Sequence, residues 1–213
     1  MRGTLNEHVN IVAERIHEMR ETMPRLLVAI TGAPASGKST LAEEVSRRLT
    51  QQRVENVVVP MDGFHLDNAI LQAKGSLPRK GAPHTFDAEG YVHMIRRIKD
   101  QQTVFAPTFD RARDISIAGA QEVPADCPVV ITEGNYLMYD DAPWRDLADL
   151  WDLSVRVEVP MPELRARLIQ RWLSLNHSRT NAVRRAEGND IPNAKLVDDR
   201  KLPCNITVKS VIA

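Results

Sequence analysis

The sequence predicts an α/β protein with a doubly wound parallel sheet in three layers. Three observations support this class. Short apolar runs alternate along the chain with segments of helical periodicity, as expected where strands and helices take turns. A glycine-rich turn joins one apolar run to the helix that follows it. Carboxylates stand directly after two other runs, at the edge of an open sheet where ligands collect.

The elements follow in order from the N-terminus. Apolar residues recur in steps of three and four from Leu5, which predicts a helix over about 5–23 that Pro24 ends. Helices are likewise predicted at Lys38–Leu49 and Met161–Asn176. Continuous apolar runs predict strands buried on both faces, at Leu26–Thr31, Val57–Pro60, Val129–Thr132 and Leu153–Val159. Alternating segments predict a hairpin added at a sheet edge within 107–125 and a final strand over 206–212.

Length and composition favour a single domain over residues 1–213. Of the 213 residues, 43% are hydrophobic and 26% are charged, as in ordinary globular proteins. The 28 lysines and arginines balance 28 acidic residues, unlike the basic excess of a general nucleic-acid binder. The two cysteines lack the spacing of a zinc site, and no apolar run reaches the roughly 20 residues that span a bilayer. We therefore expect a cytoplasmic protein that binds neither nucleic acid nor membranes.

The glycine-rich turn matches GxxxxGK[ST] and lies between a predicted strand and a predicted helix, the context that a phosphate-binding P-loop requires. Such a turn points successive N–H groups at an anion on the helix N-terminus. Lys38 would add a positive charge for the β- and γ-phosphates, and Ser39 a hydroxyl for Mg²⁺. We predict that a nucleoside triphosphate is bound by Gly32, Ala33, Pro34, Ala35, Ser36, Gly37, Lys38, Ser39 and Thr40.

Two carboxylates follow neighbouring predicted strands and would reach the same sheet edge as the P-loop. Asp62 follows the strand VVVP, and Glu133 follows VVIT. Phosphoryl transfer needs a carboxylate that receives the proton of the acceptor hydroxyl, and a bound magnesium ion. We assign Asp62 to the first role and Glu133 to the second. The alternative for each is a helix-capping carboxylate.

Basic residues supply further candidates. Arg165 and Arg167, on the helix that begins at Met161, would offset charge on the transferring group, and a solvated helix face is the alternative for each. Loops rich in proline and glycine also carry basic residues, and loops on a rigid scaffold often recognise substrates. The candidate substrate contacts are His65, Arg79, Lys80, Arg111, Asn135 and Tyr136.

The motifs GAPASGKS, MDGFH, RKGAPHTFD, APTFDRARD and ITEGNYL resemble those of P-loop small-molecule kinases such as uridine kinase, phosphoribulokinase and bacterial pantothenate kinase. The resemblance extends from the strand before Gly32 to about Trp172, and is strongest to the bacterial branch labelled fructose-transport-associated sugar kinases. It implies a P-loop NTPase fold with a helical lid, ATP and Mg²⁺ as cofactors, a catalytic base at Asp62 and a magnesium neighbour at Glu133. Uridine kinases differ in having a DSFY-like element where this chain has MDGFH.

The leading hypothesis is an ATP- and magnesium-dependent kinase that phosphorylates a hydroxyl of a small metabolite, such as the sugar fructose. A nucleoside, pantothenate or an acceptor that already carries an anion are the alternatives within this class. A nucleotide switch that hydrolyses ATP without an acceptor is the alternative outside it, and it would not need Asp62. Residues 189–193 would lie near the nucleotide base or close a lid. The N-terminal helix either packs on its own domain or pairs with a second copy in a homodimer.

Overall fold

The structure, a computed structural model, describes residues 2–210 and the side chains of residues 3–209. Its strands are β1 Arg2–Gly3, β2 Leu26–Gly32, β3 Asn56–Pro60, β4 Val104–Asp110, β5 Ile115–Val123, β6 Val129–Gly134, β7 Leu153–Glu158 and β8 Ile206–Ser210. Its α-helices are α1 Leu5–Arg20, α2 Lys38–Gln51, α3 Asn68–Ala73, α4 Ala88–Lys99, α5 Met161–Ser174, α6 Arg179–Arg185 and α7 Ile191–Asp199. No helix in this part of the chain is long and apolar enough to cross a membrane.

Six of the described strands form one parallel sheet in the order β3-β6-β2-β7-β8-β1. From β2 the chain first moves to one side, through β3 and β6, and then to the other side, through β7 and β8. Ligands bind at such a switch point, beyond the carboxyl ends of the strands. The doubly wound α/β fold that the sequence predicts is therefore confirmed, with β2 at its centre.

Helices cover both faces of the sheet and complete the three layers. Successive residues of β2 point to opposite faces, because a strand has a period of two. Leu26, Val28 and Ile30 pack with the apolar sides of α1 and α2, whereas Leu27 and Ala29 pack with α4 on the other face. The helix α1 thus packs on its own domain, the first of the two arrangements expected for it.

The ends of several elements differ from the sequence prediction. The helix α1 ends at Arg20 and α5 at Ser174, slightly before the predicted ends. The hairpin β4–β5 forms a separate two-stranded sheet. The prediction that it is added at an edge of the main sheet is therefore wrong. Pro107 has no N–H to donate, and the register between β4 and β5 shifts there. The last predicted strand is β8 as far as Ser210, and its residues 211–212 lie outside the described part.

Three helices near the C-terminus, α5 to α7, lie beside the P-loop. A π-helical segment, Ala186–Asp190, joins α6 to α7. Leu168, Ala186 and Ile191 form the core of this group, and Ala35 of the P-loop packs against it. This group of helices therefore contacts the P-loop, and its action as a helical lid stays a prediction.

Candidate active site

The P-loop backbone has the shape of a phosphate cradle. A Cβ atom on Gly32 would lie 2.6 Å from Ser36 Oγ and 2.7 Å from the Val157 carbonyl oxygen, so only glycine fits there. Gly37 has φ +93°, in the left-handed region that favours glycine. The Ser36 N–H donates to the Ala33 carbonyl oxygen at 3.1 Å, which closes the turn.

The N-terminus of α2 is suited to an anionic ligand. Gly37 precedes it and offers no capping side chain, and the first turn, with Ser39 and Thr40, holds no acidic residue. The first N–H groups of the helix are thus left for an external acceptor, and the helix dipole favours a negative one. Ser36 Oγ is buried and has no hydrogen-bond partner among the described residues. These features fit the phosphates of a nucleotide.

Asp62 lies in a short 3-10 helix, Met61–Phe64, directly after β3. Arg111, in the turn between β4 and β5, donates from Nη2 to Asp62 Oδ2 at 2.6 Å. Burial acts to raise the pKa of Asp62, but the charges of His65, Arg111, Lys38 and Arg171 outweigh it and hold this pKa below its ordinary value. Asp62 is therefore ionised at neutral pH, as a proton acceptor must be.

The pairing of β6 with β2 and β3 places Glu133 close to the P-loop. In β6 it lies opposite Ile30, two residues before the end of β2, and opposite Pro60, the last residue of β3. Its Oε2 is 3.9 Å from Lys38 Nζ. Burial raises the pKa of Glu133, opposed by the charge of Lys38 and a hydrogen bond with Ser39 and reinforced by the charge of Asp62.

A magnesium ion would suit the oxygens of Glu133 and Ser39. Mg²⁺ is held by one or two protein oxygen ligands together with substrate phosphates in phosphotransfer sites. The described residues contain no group of three or more His, Cys, Asp or Glu side chains arranged to hold a metal. The donor set therefore fits an ion that shares its coordination with the nucleotide.

The two predicted arginines of α5 have different surroundings. Arg167 Nη1 lies 3.4 Å from the Ala35 carbonyl oxygen and 3.3 Å from that of Ser36, so its charge is at the P-loop. Arg165 Nε instead donates to Glu187 at 2.6 Å, and both of these side chains are about half exposed. Arg171, one turn after Arg167, contributes to the low pKa of Asp62. Arg167 and Arg171 therefore bring positive charge towards the site.

His65 forms part of an aromatic wall beside Asp62. Its ring centroid is 4.1 Å from that of Phe86 and 4.5 Å from that of Phe109. His65 Nδ1 is 2.7 Å from the Asp62 carbonyl oxygen, which can only accept, so Nδ1 carries the proton. Burial lowers the pKa of His65, reinforced by Lys80 and Arg111 and opposed by Asp62. The pKa of His65 therefore lies below its ordinary value although the Asp62 carboxylate is close to it.

Lys80 and Arg79 are both engaged within the chain. Lys80 Nζ contacts Asn68 Oδ1 at 2.7 Å and Asp114 Oδ1 at 3.0 Å, and this cluster ties the hairpin turn to α3. Arg79 donates to the Gly188 carbonyl oxygen at 3.1 Å and to Asn193 Oδ1 at 3.0 Å. Arg79 thus joins the loop after α3 to the helices beside the P-loop.

Asn135 and Tyr136 follow β6 and lie largely inside the protein. The buried Tyr136 hydroxyl donates to the Gly81 carbonyl oxygen at 2.6 Å, and burial raises the pKa of Tyr136. The Asn135 carbonyl oxygen accepts from Thr31 Oγ1 at 3.3 Å. Asn135 Oδ1 is buried without a hydrogen-bond partner in the described part of the chain. Tyr136 therefore supports the loop that carries Lys80.

The sequence analysis did not predict two contacts that shape this site. A Cβ atom on Gly63 would lie 2.2 Å from the Pro107 carbonyl oxygen, so the hairpin rests directly on the segment of Asp62. Asn189 Nδ2 donates to the Lys80 carbonyl oxygen at 2.8 Å, so this part of the 189–193 segment contacts the loop after α3. No local pattern identifies either contact, because each joins residues far apart in sequence.

A cavity of about 550 Å³ opens beside Ala33, at the carboxyl end of β7. Apolar side chains of β7, α5 and α7 line much of it, among them Val157, Met161, Leu164 and Val197. Its position next to the P-loop distinguishes it from the region around Asp62, on the other side of β2. The cavity therefore adjoins the turn that would hold the phosphates of a nucleotide.

The parallel sheet, the P-loop and the two carboxylates at one sheet edge define a P-loop kinase. Residues 27–174 match the model of the Phosphoribulokinase / Uridine kinase family, and the chain belongs to this family. It is therefore an ATP-dependent phosphotransferase whose acceptor is a hydroxyl group of a small molecule. Kinases of this family generally use ATP and Mg²⁺.

Three relatives illustrate the similarity. The crystal structure of a "putative fructose transport system kinase" from Silicibacter sp. TM1040 is 49% identical, with a TM-score of 0.87 over 96% of this chain and 98% of that one. "Uncharacterized protein YggC" of Escherichia coli K12 is 35% identical over 188 residues, 87% of this chain and 78% of that protein. A "putative uridine kinase" of Schizosaccharomyces pombe is 30% identical over 208 residues, 92% of this chain and 88% of that protein.

Proposed function

We propose that this kinase transfers the γ-phosphoryl group of ATP to a hydroxyl of a sugar or a closely related polyhydroxy metabolite, with Asp62 as the base. The observation that carries the proposal is the placement of an ionised Asp62 at the same sheet edge as Lys38 and Glu133. The similarity to the Silicibacter protein, whose name refers to fructose transport, favours a sugar over a nucleoside or pantothenate.

The chemistry assigns a role to each group. The hydroxyl oxygen of the acceptor forms a bond to the γ-phosphorus, and Asp62 takes the proton of that hydroxyl. The bond from that phosphorus to the bridging oxygen breaks, and ADP leaves with the electron pair. Lys38, Arg167 and the N–H groups of the P-loop stabilise the negative charge on the phosphoryl oxygens. Magnesium, when bound at Ser39 and Glu133, would neutralise further phosphate charge.

The cavity beside Ala33 supports a nucleotide base on the opposite side of the P-loop from Asp62. Ala33 belongs both to the P-loop and to the cavity wall. Its apolar lining suits the faces of a purine ring. The acceptor would then bind on the side of the aromatic wall of His65, Phe86 and Phe109.

A coupled assay of ADP release tests this function. Sugars, sugar phosphates, sugar acids, nucleosides and pantothenate are each offered with ATP and Mg²⁺ to the wild type, to Asp62→Asn and to Asp67→Asn. Asp67 is a matched control because it caps α3 through the Ala69 N–H and lies outside the site. We expect acceptor-dependent ADP release that is abolished in Asp62→Asn and retained in Asp67→Asn. ADP release that ignores every acceptor and survives Asp62→Asn would instead support a nucleotide switch.

A further inference from the structure

Basic side chains from two loops surround the region of Asp62, and their charges have different partners. Arg79 is engaged by the segment 188–193, as described above. Arg113 lies 3.7 Å from Asp110 and is 66% exposed on the outer side of the hairpin turn. Lys80 and Arg111 remain as cations close enough to Asp62 to concern the acceptor.

Lys80 has no capacity left for a substrate anion. Its side chain is only 14% exposed, and an ammonium group has three donors. Asn68 Oδ1 at 2.7 Å, the Asp114 carbonyl oxygen at 2.9 Å and Asp114 Oδ1 at 3.0 Å match these three donors. The Phe109 ring lies beside the same ammonium group, 5.1 Å from Nζ to the ring centroid. Lys80 therefore serves to hold the hairpin turn in place.

Arg111 differs from Lys80 because its backbone is fixed while most of its guanidinium donors are unused within the described residues. Asp110 Oδ1 accepts from the N–H groups of Ala112 and Arg113, both at 3.0 Å, and this fixes the turn on either side of Arg111. The guanidinium has five donors, and within the described residues its hydrogen bond goes to Asp62 alone. The Arg111 side chain is 59% exposed, so its remaining donors face solvent beside the base.

The contact between Arg111 and Asp62 leaves room for a second anion. It joins one nitrogen to one carboxylate oxygen, so the other donors of the guanidinium stay available. A carboxylate or phosphate can bind two guanidinium donors at once, which is a stronger and more specific contact. Arg111 can thus bind such a group through its other edge while it keeps its contact with Asp62.

Resting on the proposed function, we infer that the acceptor carries an anionic group with paired oxygens, a carboxylate or a phosphate, and that Arg111 binds it. Because Arg111 lies on the solvent side of Asp62, an anion held there leaves a hydroxyl a few bonds away to meet the free oxygen of Asp62. The substrate class is therefore a hydroxy acid or a sugar phosphate, and a neutral sugar lacks the group that Arg111 recognises.

Matched pairs of compounds test this inference. Each pair differs in the anionic group: glycerol and glycerate, fructose and fructose 6-phosphate, pantothenol and pantothenate. Turnover is measured by coupled ADP release, and binding by calorimetry in the presence of ADP and Mg²⁺, which occupy the P-loop so that the anion cannot bind there. Wild type, Arg111→Gln, Arg111→Lys and the control Arg113→Gln are compared.

We expect the anionic member of at least one pair to bind more tightly than its neutral partner. Arg111→Gln should weaken that binding about tenfold to a hundredfold, the usual range for a charge-assisted contact, and leave the neutral partner unchanged. Arg111→Lys should retain part of the preference, and Arg113→Gln all of it. A carboxylate-only or phosphate-only preference among the pairs separates hydroxy acids from sugar phosphates.

Three results would overturn the inference: equal binding of both members of every pair, binding of no anionic compound, or an equal loss for both members in Arg111→Gln. None of these results touches the proposed function, which fails separately if ADP release never depends on an acceptor or if Asp62→Asn keeps full turnover.

Discussion

The carbonyl oxygen of Pro107 lies against Gly63, 2.2 Å from the position that a Cβ atom on Gly63 would occupy. The hairpin therefore rests on backbone that directly follows Asp62, and it carries Arg111 at its tip. There is no room for a side chain at residue 63, and the hairpin docked there brings Arg111 to Asp62. The proposed acceptor side of the site would thus depend on the docking of β4 as much as on the main sheet.

Gly63→Ala should displace the hairpin or the segment of Asp62. Overpacking of this kind destabilises proteins by about 1–3 kcal/mol, and we expect that loss in denaturant unfolding together with a large fall in kcat. Gly188→Ala is the matched control, since a Cβ atom there meets nothing within 4 Å. Unchanged turnover in Gly63→Ala would show that the hairpin does not position the base.

Lys38→Ala should abolish phosphotransfer while the fold persists. Lys38 contacts Glu133 at 3.9 Å, and its charge would bear on the transferring phosphoryl group. The loss of one such stabilising charge reduces kcat by about a hundredfold to a thousandfold. Turnover is measured by ADP release and the fold by thermal unfolding. Turnover of Lys38→Ala at the wild-type rate would show that Lys38 of the P-loop has no role in phosphotransfer.

The local patterns of the chain were sufficient to predict five of the six described strands of the main sheet, the P-loop and the helices α1, α2 and α5. Continuous burial of β2 and β6 and the turn before α2 are encoded within a few neighbouring residues. The contacts of Lys80 are not encoded locally, because Asn68 and Asp114 lie 12 and 34 residues away from it in sequence. Such pairings depend on how the loops dock, which a single sequence does not reveal.

Helical periodicity distinguishes Arg165 from Arg167, the two arginines predicted to act from α5. Residues two apart on an α-helix are separated by about 200° around its axis. Arg165 and Arg167 therefore cannot both face the P-loop, and in the structure Arg167 lies at the P-loop while Arg165 pairs with Glu187. A role of Arg165 at the phosphates stays a prediction that Arg165→Gln would test through the KM for ATP.

The pH dependence of kcat/KM should report Asp62. Its pKa lies below the ordinary value, so the base loses its charge only as the pH falls through that lowered pKa. Arg111→Gln removes one of the positive charges responsible, so the pKa of Asp62 should rise and the acidic limb should move to higher pH. The profile is measured at saturating Mg²⁺, which keeps Glu133 ionised, and Arg113→Gln should leave the limb in place. An unmoved limb in Arg111→Gln would argue against Asp62 as the titrating base.

Lys80→Met should loosen the hairpin turn without removing any group that contacts ATP. The variant leaves Asn68 Oδ1 and the Asp114 carboxylate without their shared cation, so the turn that carries Arg111 gains freedom relative to Asp62. We expect the KM for the acceptor to rise about tenfold, as for the loss of a charge-assisted hydrogen bond, with the KM for ATP unchanged. Lys74→Met is the control, since Lys74 is an exposed residue at the end of α3. Equal rises in both KM values would point to a general loss of structure, whereas a selective rise would show that Lys80 acts on the acceptor through the position of Arg111.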